Sequence, residues 1–297
     1  MHHDAIIIGG SFAGLATATY IGRARRSACV IDTGKPRNRF AKHSHGFLTQ
    51  DGSEPGAMLS AARDQVSAYP TVSFVSDAAV SVERDGDGFV VQLQSGDMVS
   101  GSKLVLAYGI SDELPKIPGL AEHWGQSVIH CPYCHGFEFS GQRLGVLSVS
   151  PMSTHQAILI SEWGPTTYFL NGSPMPDDET LAKLKERGVA IEPAAVAAVH
   201  GDGQALAEIE FDDGRALPLD ALYLGPRNRF NSDIGDKLGC AVEETPFGRF
   251  IRTDGEKKTS VSDVYAAGDI TRGAHSVTFA CADGVMAATS IHRSLVF

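Results

Sequence analysis

A Gly-rich turn between an apolar strand and an Ala-rich helix opens the chain, and it restricts the fold more than any other feature. Residues 4–8 read as a buried strand, three glycines lie within residues 9–14, and a second strand over 28–31 ends in Asp32. Glycines at such a turn let the backbone approach a pyrophosphate, and the helix N-terminus supplies N–H groups. An acid about 20 residues further on binds a ribose hydroxyl. The pattern predicts a Rossmann-like βαβ unit that binds a dinucleotide.

The glycine pattern of this turn is incomplete. Ser11 stands where the usual G-x-G-x-x-G motif has its middle glycine, so an ordinary βαβ turn stays an alternative for the motif taken alone. The residues expected to contact the cofactor from this unit are Gly9, Gly10, Ser11, Ala13, Gly14 and Asp32.

Three later stretches predict the domain organisation. Residues 72–109 read as short strands of a β-meander, an insert typical of flavoproteins, and 114–119 is a Pro/Gly-rich linker. A second α/β unit follows, and a buried strand in the tail then delivers Asp269 to its carboxyl end. We therefore predict an α/β chain of two Rossmann-like three-layer domains. Residues 1–113 and 237–297 form the cofactor domain, and 114–236 form an inserted middle domain.

Composition excludes several classes of partner. The chain has 297 residues, 43% hydrophobic, with a net charge of −10, so it can bury a large core and does not attract nucleic acid or anionic membranes. Its apolar stretches are too short to cross a bilayer, and the N-terminus lacks a secretory signal pattern. We expect a cytoplasmic protein without a membrane or nucleic-acid partner.

Two of the five cysteines, Cys131 and Cys134, stand in C-x-x-C spacing. In an α/β protein of the cytosol this spacing indicates redox chemistry or half of a metal site. Because no second C-x-x-C follows, we expect no metal. The other three cysteines lie among apolar residues, and each is interpreted as a small buried side chain.

Taken together, the Gly-rich turn, the strand end at 107–109, the C-x-x-C and the run from Val264 to Asp269 resemble low-molecular-weight thioredoxin reductases from end to end. The resemblance implies FAD held by the first and last segments, a homodimer, and a second cysteine that lies against the flavin. It also implies that Asp269 contacts the ribityl-phosphate region and that the backbone at Ser276 and Val277 faces the isoalloxazine ring. The further cofactor-binding residues implied are Ala107, Gly109 and Gly268.

The middle domain departs from these reductases where they bind NADPH. No glycine lies between Val146 and Trp163, and no arginine follows the next strand before Arg187. A backbone that carries large side chains cannot come close to a pyrophosphate. We infer that the NADPH site is lost or degraded, with the alternative that 150–154 binds phosphate in another way.

His135, directly after the second cysteine, is the other departure, because the reductases have an acid there. The stretch 131–138 resembles the flavin-dependent dithiol oxidases that close disulfides in natural products such as gliotoxin and holomycin. An imidazole can accept a thiol proton near neutral pH, which suits oxidation. His130 is a second candidate for this role, and a merely solvated His135 stays an alternative.

The predicted function is that of an FAD-dependent thiol:disulfide oxidoreductase with Cys131, Cys134 and His135 as catalytic residues. It would oxidise a small dithiol or a protein thiol and pass the electrons through the flavin to O₂ or another acceptor. Three alternatives stay open. They are a disulfide reductase fed by ferredoxin or another electron-transfer protein, an atypical NADPH-dependent reductase, and a redox-sensing flavin module.

Overall fold

The structure is a computed structural model that describes residues 2–203, 205–245 and 248–297. The helices are α1 (Phe12–Arg23), α2 (Pro55–Ser67), α3 (Pro132–His135), α4 (Ser153–Ile160), α5 (Asp178–Glu186), α6 (Ile234–Lys237) and α7 (Val277–Val296). The strands are β1 (His2–Ile8), β2 (Ala28–Ile31), β3 (Val72–Val75), β4 (Ala79–Asp85), β5 (Gly88–Leu93), β6 (Met98–Leu106), β7 (Ile110–Glu113), β8 (Val128–Ile129), β9 (Leu144–Leu147), β10 (Thr166–Phe169), β11 (Ala190–Glu192), β12 (Val196–Asp202), β13 (Ala205–Phe211), β14 (Ala216–Pro218), β15 (Ala221–Tyr223), β16 (Arg227–Phe230), β17 (Val242–Thr245), β18 (Gly248–Ile251) and β19 (Val264–Ala266).

The chain folds into two compact units. Unit 1 comprises residues 1–39, 56–111 and 228–297, and unit 2 comprises 40–55 and 112–227. The contacts place 228–236 with the last segment rather than with the middle one, because Ile234 is buried in the core of unit 1. Residues 40–55 leave unit 1 and pack in unit 2. The sequence analysis did not predict this excursion, because it identified a linker only at 114–119. This excursion carries His43 and His45.

Unit 1 is built on a mixed sheet of order β3-β2-β1-β6-β5-β4, with β19 also paired to β6. The strands β3, β2, β1, β6 and β19 run parallel. Apolar side chains fill both faces of this parallel part, as expected for a sheet covered by helices. Consequently the residues that follow β1, β2, β6 and β19 meet at one edge.

The predicted meander begins later than the sequence suggests. β3 pairs in parallel with β2, so the antiparallel part consists of β4, β5 and β6. β6 changes neighbour along its length, since Met98–Gly101 pair with β5 and Leu104–Leu106 pair with β19. A Val-rich strand such as β3 has the same pattern in a meander and at the edge of a parallel sheet, so sequence alone does not distinguish the two.

Helices α1 and α7 pack closely against each other in unit 1. A Cβ at Gly284 would collide with the carbonyl oxygen of Ala13, and the Thr17 hydroxyl donates to the Gly284 carbonyl at 3.2 Å. The first and last segments of the chain therefore form one body.

Unit 2 contains a parallel sheet of order β11-β10-β9-β15-β8 and an antiparallel sheet β12-β13-β14. Aromatic and branched side chains fill the space between them, including Phe169, Phe211 and Leu222. The C-x-x-C follows β8, and the loop in which the sequence has no glycine follows β9. Among the described residues, no helix has the length and apolar character needed to cross a membrane.

Candidate functional site

The carboxyl edge of the unit 1 sheet gathers the predicted dinucleotide-binding residues. Gly9 follows β1, Asp32 follows β2, Ala107 follows β6 and Gly268 follows β19. The backbone N–H of Ala107 donates to Ile8 at 2.8 Å, which holds two of these turns together. Ligands of open α/β sheets bind at this edge.

Glycine is required in the turn after β1 for steric reasons. Gly9 has φ +111°, and a Cβ there would collide with the Ala107 carbonyl. A Cβ at Gly10 would lie 2.7 Å from the Cβ of Asp32. Ser11 is the N-cap of α1 but makes no side-chain cap bond, and the first turn of α1 has no acidic residue. These features fit the pyrophosphate and ribose of a dinucleotide.

Each of the two acids at this edge has an arginine partner that the sequence analysis did not identify. Asp32 lies 3.7 Å from Arg63, whose guanidinium stacks over the Phe74 ring. Asp269 accepts a hydrogen bond from Arg37 at 3.1 Å. Both arginines lie in polar stretches of sequence of the kind found on protein surfaces. Only the tertiary structure shows that they reach this edge.

The turn after β19 and the start of α7 carry the residues that the resemblance places against the flavin. Gly268 has φ +84°, and a Cβ there would lie 3.0 Å from the Cβ of Ala13. Ser276 is the N-cap of α7 and accepts a hydrogen bond from the Phe279 N–H at 3.1 Å. Val277 is the first residue of α7. Their contacts with a flavin stay a prediction.

In unit 2, Cys131 and Cys134 form a disulfide at the carboxyl end of β8. Cys131 is the N-cap of α3, and Cys134 lies within that helix. Because α3 has only four residues, its dipole contributes little to the reactivity of either sulfur. Trp163 packs under α3, where it would collide with a Cβ at Gly136 and contacts the Tyr133 ring edge-on.

His135 is part of a cluster that the sequence analysis described only in part. His45 lies edge-on to His135 with ring centroids 6.0 Å apart, and its Nε2 is 3.4 Å from a carboxylate oxygen of Glu138. His45 comes from the 40–55 excursion, which the backbone bridge between Ser44 and Ser53 closes into a turn. The His43-Ser44-His45 spacing was the available signal, but its approach to α3 depends on tertiary folding.

The environment of His135 favours its neutral form. Burial lowers the pKa of His135 from its ordinary value of 6.5, and the nearby His45 and His43 lower it further, whereas Glu138 raises it. A neutral imidazole has a nitrogen that can accept a proton. His135 is therefore in the form that a general base requires at neutral pH.

The same cluster includes atoms that a metal ion could use. One donor atom each of His45, His135 and Glu138 lies within 4.8 Å of the others. Imidazole nitrogens and carboxylate oxygens are donor types that zinc accepts in proteins. The expectation of no metal stays a prediction.

The other histidines near the predicted sites have structural contacts. The His130 ring stacks on Trp124 at 6.2 Å between centroids, and its carbonyl accepts a hydrogen bond from Gln156 at 3.0 Å. His275 Nε2 donates to the Arg272 carbonyl at 2.9 Å.

Burial raises the pKa of the Cys281 thiol, which disfavours its reactive thiolate form.

The loop after β9 satisfies its own backbone N–H groups. The Ser153 hydroxyl accepts hydrogen bonds from the N–H of Val149 at 3.1 Å and of Ser150 at 3.2 Å. The Ser150 hydroxyl in turn accepts from the Met152 N–H at 3.3 Å. In a nucleotide-binding loop, N–H groups at this position bind phosphate oxygens.

Comparison with known proteins identifies the family of the chain. The sequence profile of the pyridine nucleotide-disulphide oxidoreductases matches residues 3–284. The chain belongs to this family. Thioredoxin reductase sirT of Leptosphaeria maculans is 31% identical over 310 residues, which cover 97% of this chain and 93% of that protein.

Two solved structures are similar over nearly the whole chain. An oxidoreductase from Agrobacterium tumefaciens is 43% identical with a TM-score of 0.95, covering 100% of this chain and 99% of that one. HlmI is 34% identical with a TM-score of 0.94, covering 99% of this chain and 93% of that one.

Family membership confirms the predicted thioredoxin reductase-like α/β fold and the prediction of an enzyme. The protein is a flavin-dependent disulfide oxidoreductase of the thioredoxin reductase type.

Proposed function

We propose that this protein is a thiol oxidase that uses FAD, Cys131, Cys134 and His135 to convert a dithiol substrate into a disulfide without NADPH. One observation carries the proposal. The Ser153 hydroxyl already binds the two N–H groups of the loop that would otherwise accept a nucleotide phosphate. The name of the family refers to a pyridine nucleotide, but this loop lacks both the glycines and the free N–H groups for one.

In the proposed reaction the chain exchanges one disulfide for another. A substrate thiolate attacks the sulfur of Cys131, the Cys131–Cys134 bond breaks, and Cys134 leaves as a thiolate. The second substrate thiolate then attacks the mixed disulfide, which releases the substrate as a disulfide and Cys131 as a thiol. Two electrons and two protons have passed from the substrate to the protein.

His135 would accept the proton that the substrate thiol loses. Its pKa is lowered by burial, so the imidazole is neutral when the substrate arrives. His45 would orient the ring through its edge-on contact with His135, and Glu138 would in turn hold His45. A positioned base of this kind contributes about 10² to 10⁴-fold to the rate.

FAD is the proposed cofactor, held by the turn after β1, by Asp32 and by the 268–277 region. When bound, it supplies an acceptor for the two electrons of the cysteine pair and passes them to O₂ or another oxidant. We further propose a homodimer in the cytoplasm, following the resemblance to thioredoxin reductases.

A second direction of reaction is supported by the relatives, several of which are named thioredoxin reductases. A reductase that receives electrons from ferredoxin or another flavoprotein would also tolerate the loop closed by Ser153. In that case the cysteine pair would reduce a substrate disulfide by the same exchange run in reverse.

An aerobic assay with dithiothreitol distinguishes the two. The oxidase proposal predicts steady formation of oxidised dithiothreitol with one equivalent of H₂O₂ for each disulfide when O₂ is the acceptor. Oxidation that appears only with an added electron-transfer protein would favour another acceptor. Rapid NADPH-dependent reduction of a disulfide substrate would contradict the proposal.

A further inference from the structure

Asp283, on helix α7 in unit 1, is a carboxylate buried to 2% exposure. Its oxygens accept hydrogen bonds from the Gly268 N–H at 3.2 Å, the Thr271 hydroxyl at 3.2 Å and Arg272 Nε at 3.0 Å. It also forms an ion pair with Lys257 at 2.7 Å. Nothing in the dinucleotide motif or in the cysteine chemistry uses this residue.

The hydrogen-bond partners of Asp283 lie in one short stretch. Gly268, Thr271 and Arg272 belong to the turn after β19, and Asp269 lies between them. A single carboxylate on α7 therefore fixes the turn that carries Asp269 against the helix that begins at Ser276.

A third part of the predicted cofactor site, the start of α1, lies against the same region of α7. Gly284, the neighbour of Asp283, lets α7 approach the carbonyl of Ala13 in the first turn of α1. The Cβ of Ala13 in turn lies close to Gly268. The start of α1 and the turn after β19 thus both pack against the part of α7 that carries Asp283.

The backbone of Lys257 supports a specific role for this ion pair. Lys257 has φ +64°, in the left-handed region that is uncommon for a residue with a side chain. Its side chain is only 14% exposed and ends at Asp283. An unfavourable backbone conformation of this kind persists when the surrounding structure holds it in place.

We propose that Asp283 is a positioning residue for the flavin cofactor. It holds the 268–272 turn and the N-terminus of α7 in the arrangement that FAD requires, while Lys257 and Arg272 compensate its buried charge. The inference rests on FAD as the proposed cofactor, and it names a residue outside the predicted binding motifs.

The test compares Asp283→Asn with Asp263→Asn as the matched control. Asp263 is also an ion-paired carboxylate of unit 1, bound to Lys103, but it precedes β19 and so lies at the opposite edge of the sheet. Apoproteins are titrated with FAD, and the dissociation constant is read from flavin fluorescence. The Tm is measured with and without FAD.

For Asp283→Asn we expect the dissociation constant of FAD to rise about 10- to 100-fold, because the variant weakens the buried hydrogen bonds and ion pairs that hold the 268–272 turn. The increase in Tm produced by FAD should shrink accordingly. Asp263→Asn should lower the Tm of the apoprotein and leave the dissociation constant within about twofold. Equal loss of FAD affinity in both variants, or unchanged affinity in Asp283→Asn, would overturn the inference.

If Asp283→Asn gives no folded apoprotein, Thr271→Val removes one partner of the carboxylate, together with the bond of the same hydroxyl to the Gly268 carbonyl, and keeps the ion pairs. It should raise the dissociation constant severalfold, and an unchanged value would also overturn the inference. Failure of the wild-type protein to bind FAD would instead refute the proposed cofactor, so the two failures are distinguishable.

Discussion

The hydroxyl of Ser153 accepts a hydrogen bond from the backbone N–H of Val149 at 3.1 Å, across the turn that follows β9. This is the position at which a Rossmann-like loop offers its N–H groups to a phosphate. The side chain of the first residue of α4 therefore binds N–H groups that a phosphate would otherwise need. We propose that this closed loop lets an enzyme of this family work without a pyridine nucleotide.

Replacing Ser153 with alanine should destabilise unit 2 without creating a nucleotide site. The variant leaves two N–H groups without their acceptor, which costs about 1–3 kcal/mol. Urea denaturation measures this loss in the free energy of unfolding. His155→Ala, at an exposed neighbouring position, is the control and should stay within about 0.5 kcal/mol of the wild type. Tight NADPH binding by Ser153→Ala would contradict our account of the loop.

Replacing His135 with alanine should slow the reaction with dithiol by about 10² to 10⁴-fold, because the proton acceptor is lost. In the wild type this rate should stay high below pH 6.5 and fall as pH drops through the lowered pKa of His135. The acidic limb of the pH profile should be absent in the variant. Identical profiles and rates in both proteins would show that His135 is not the base.

The lowered pKa of His135 also predicts how stability depends on pH. Between this pKa and 6.5 the unfolded chain binds a proton at residue 135 that the folded protein does not bind. The contribution of the neutral ring to stability is therefore complete above 6.5 and decreases as pH falls through this window. The free energy of unfolding of His135→Gln should decline less over the same range.

Each cysteine variant should abolish turnover, but the two should differ in how fast they form a mixed disulfide with a disulfide probe. In Cys134→Ser the remaining Cys131 thiol should form a stable mixed disulfide with an activated disulfide probe, because the resolving partner is absent. Cys131→Ser should form this adduct more slowly, since the proposed site of attack is gone. Intact-mass spectrometry measures both adducts, and faster labelling of Cys131→Ser would reverse the assignment of the two sulfurs.

Replacing Gly10 with alanine should weaken FAD binding about tenfold or more, because the new methyl group would crowd the side chain of Asp32. Gly255→Ala is a suitable control, since its added Cβ has no neighbour within 4 Å and its φ is not positive. FAD titration of both apoproteins measures the effect. Equal affinity in the two variants would argue against the turn after β1 as the cofactor site.

The sequence predicts those parts of the fold that local patterns determine. Buried strands such as β2 and the turn after β1 have a periodicity and a glycine pattern that few other structures share. The position of β3 was predicted less well, because a short apolar strand has the same pattern in either kind of pairing. Tertiary contacts decide such cases.

The residues of the candidate site likewise fall into those that local sequence predicts and those that only tertiary contacts bring together. Cys131, Cys134 and His135 lie within five residues of sequence and were proposed from their spacing. His45 and Arg37 were not, because each reaches its partner from a distant segment. Asp283 was not, because the turn before α7, and not helical spacing, brings its partners to it from 11 to 15 residues earlier. No local pattern encodes a contact between residues 45 and 138 or between residues 37 and 269.

The central claim is that electrons enter from a dithiol and not from a pyridine nucleotide. Anaerobic stopped-flow measurement of flavin absorbance, with dithiothreitol or NADPH as the donor, tests this claim most directly. We expect dithiothreitol to bleach the bound flavin and NADPH to do so at least about 100-fold more slowly, because in our proposal the loop closed by Ser153 does not bind phosphate. Rapid bleaching by micromolar NADPH would contradict the claim that a dithiol, and not a pyridine nucleotide, supplies the electrons.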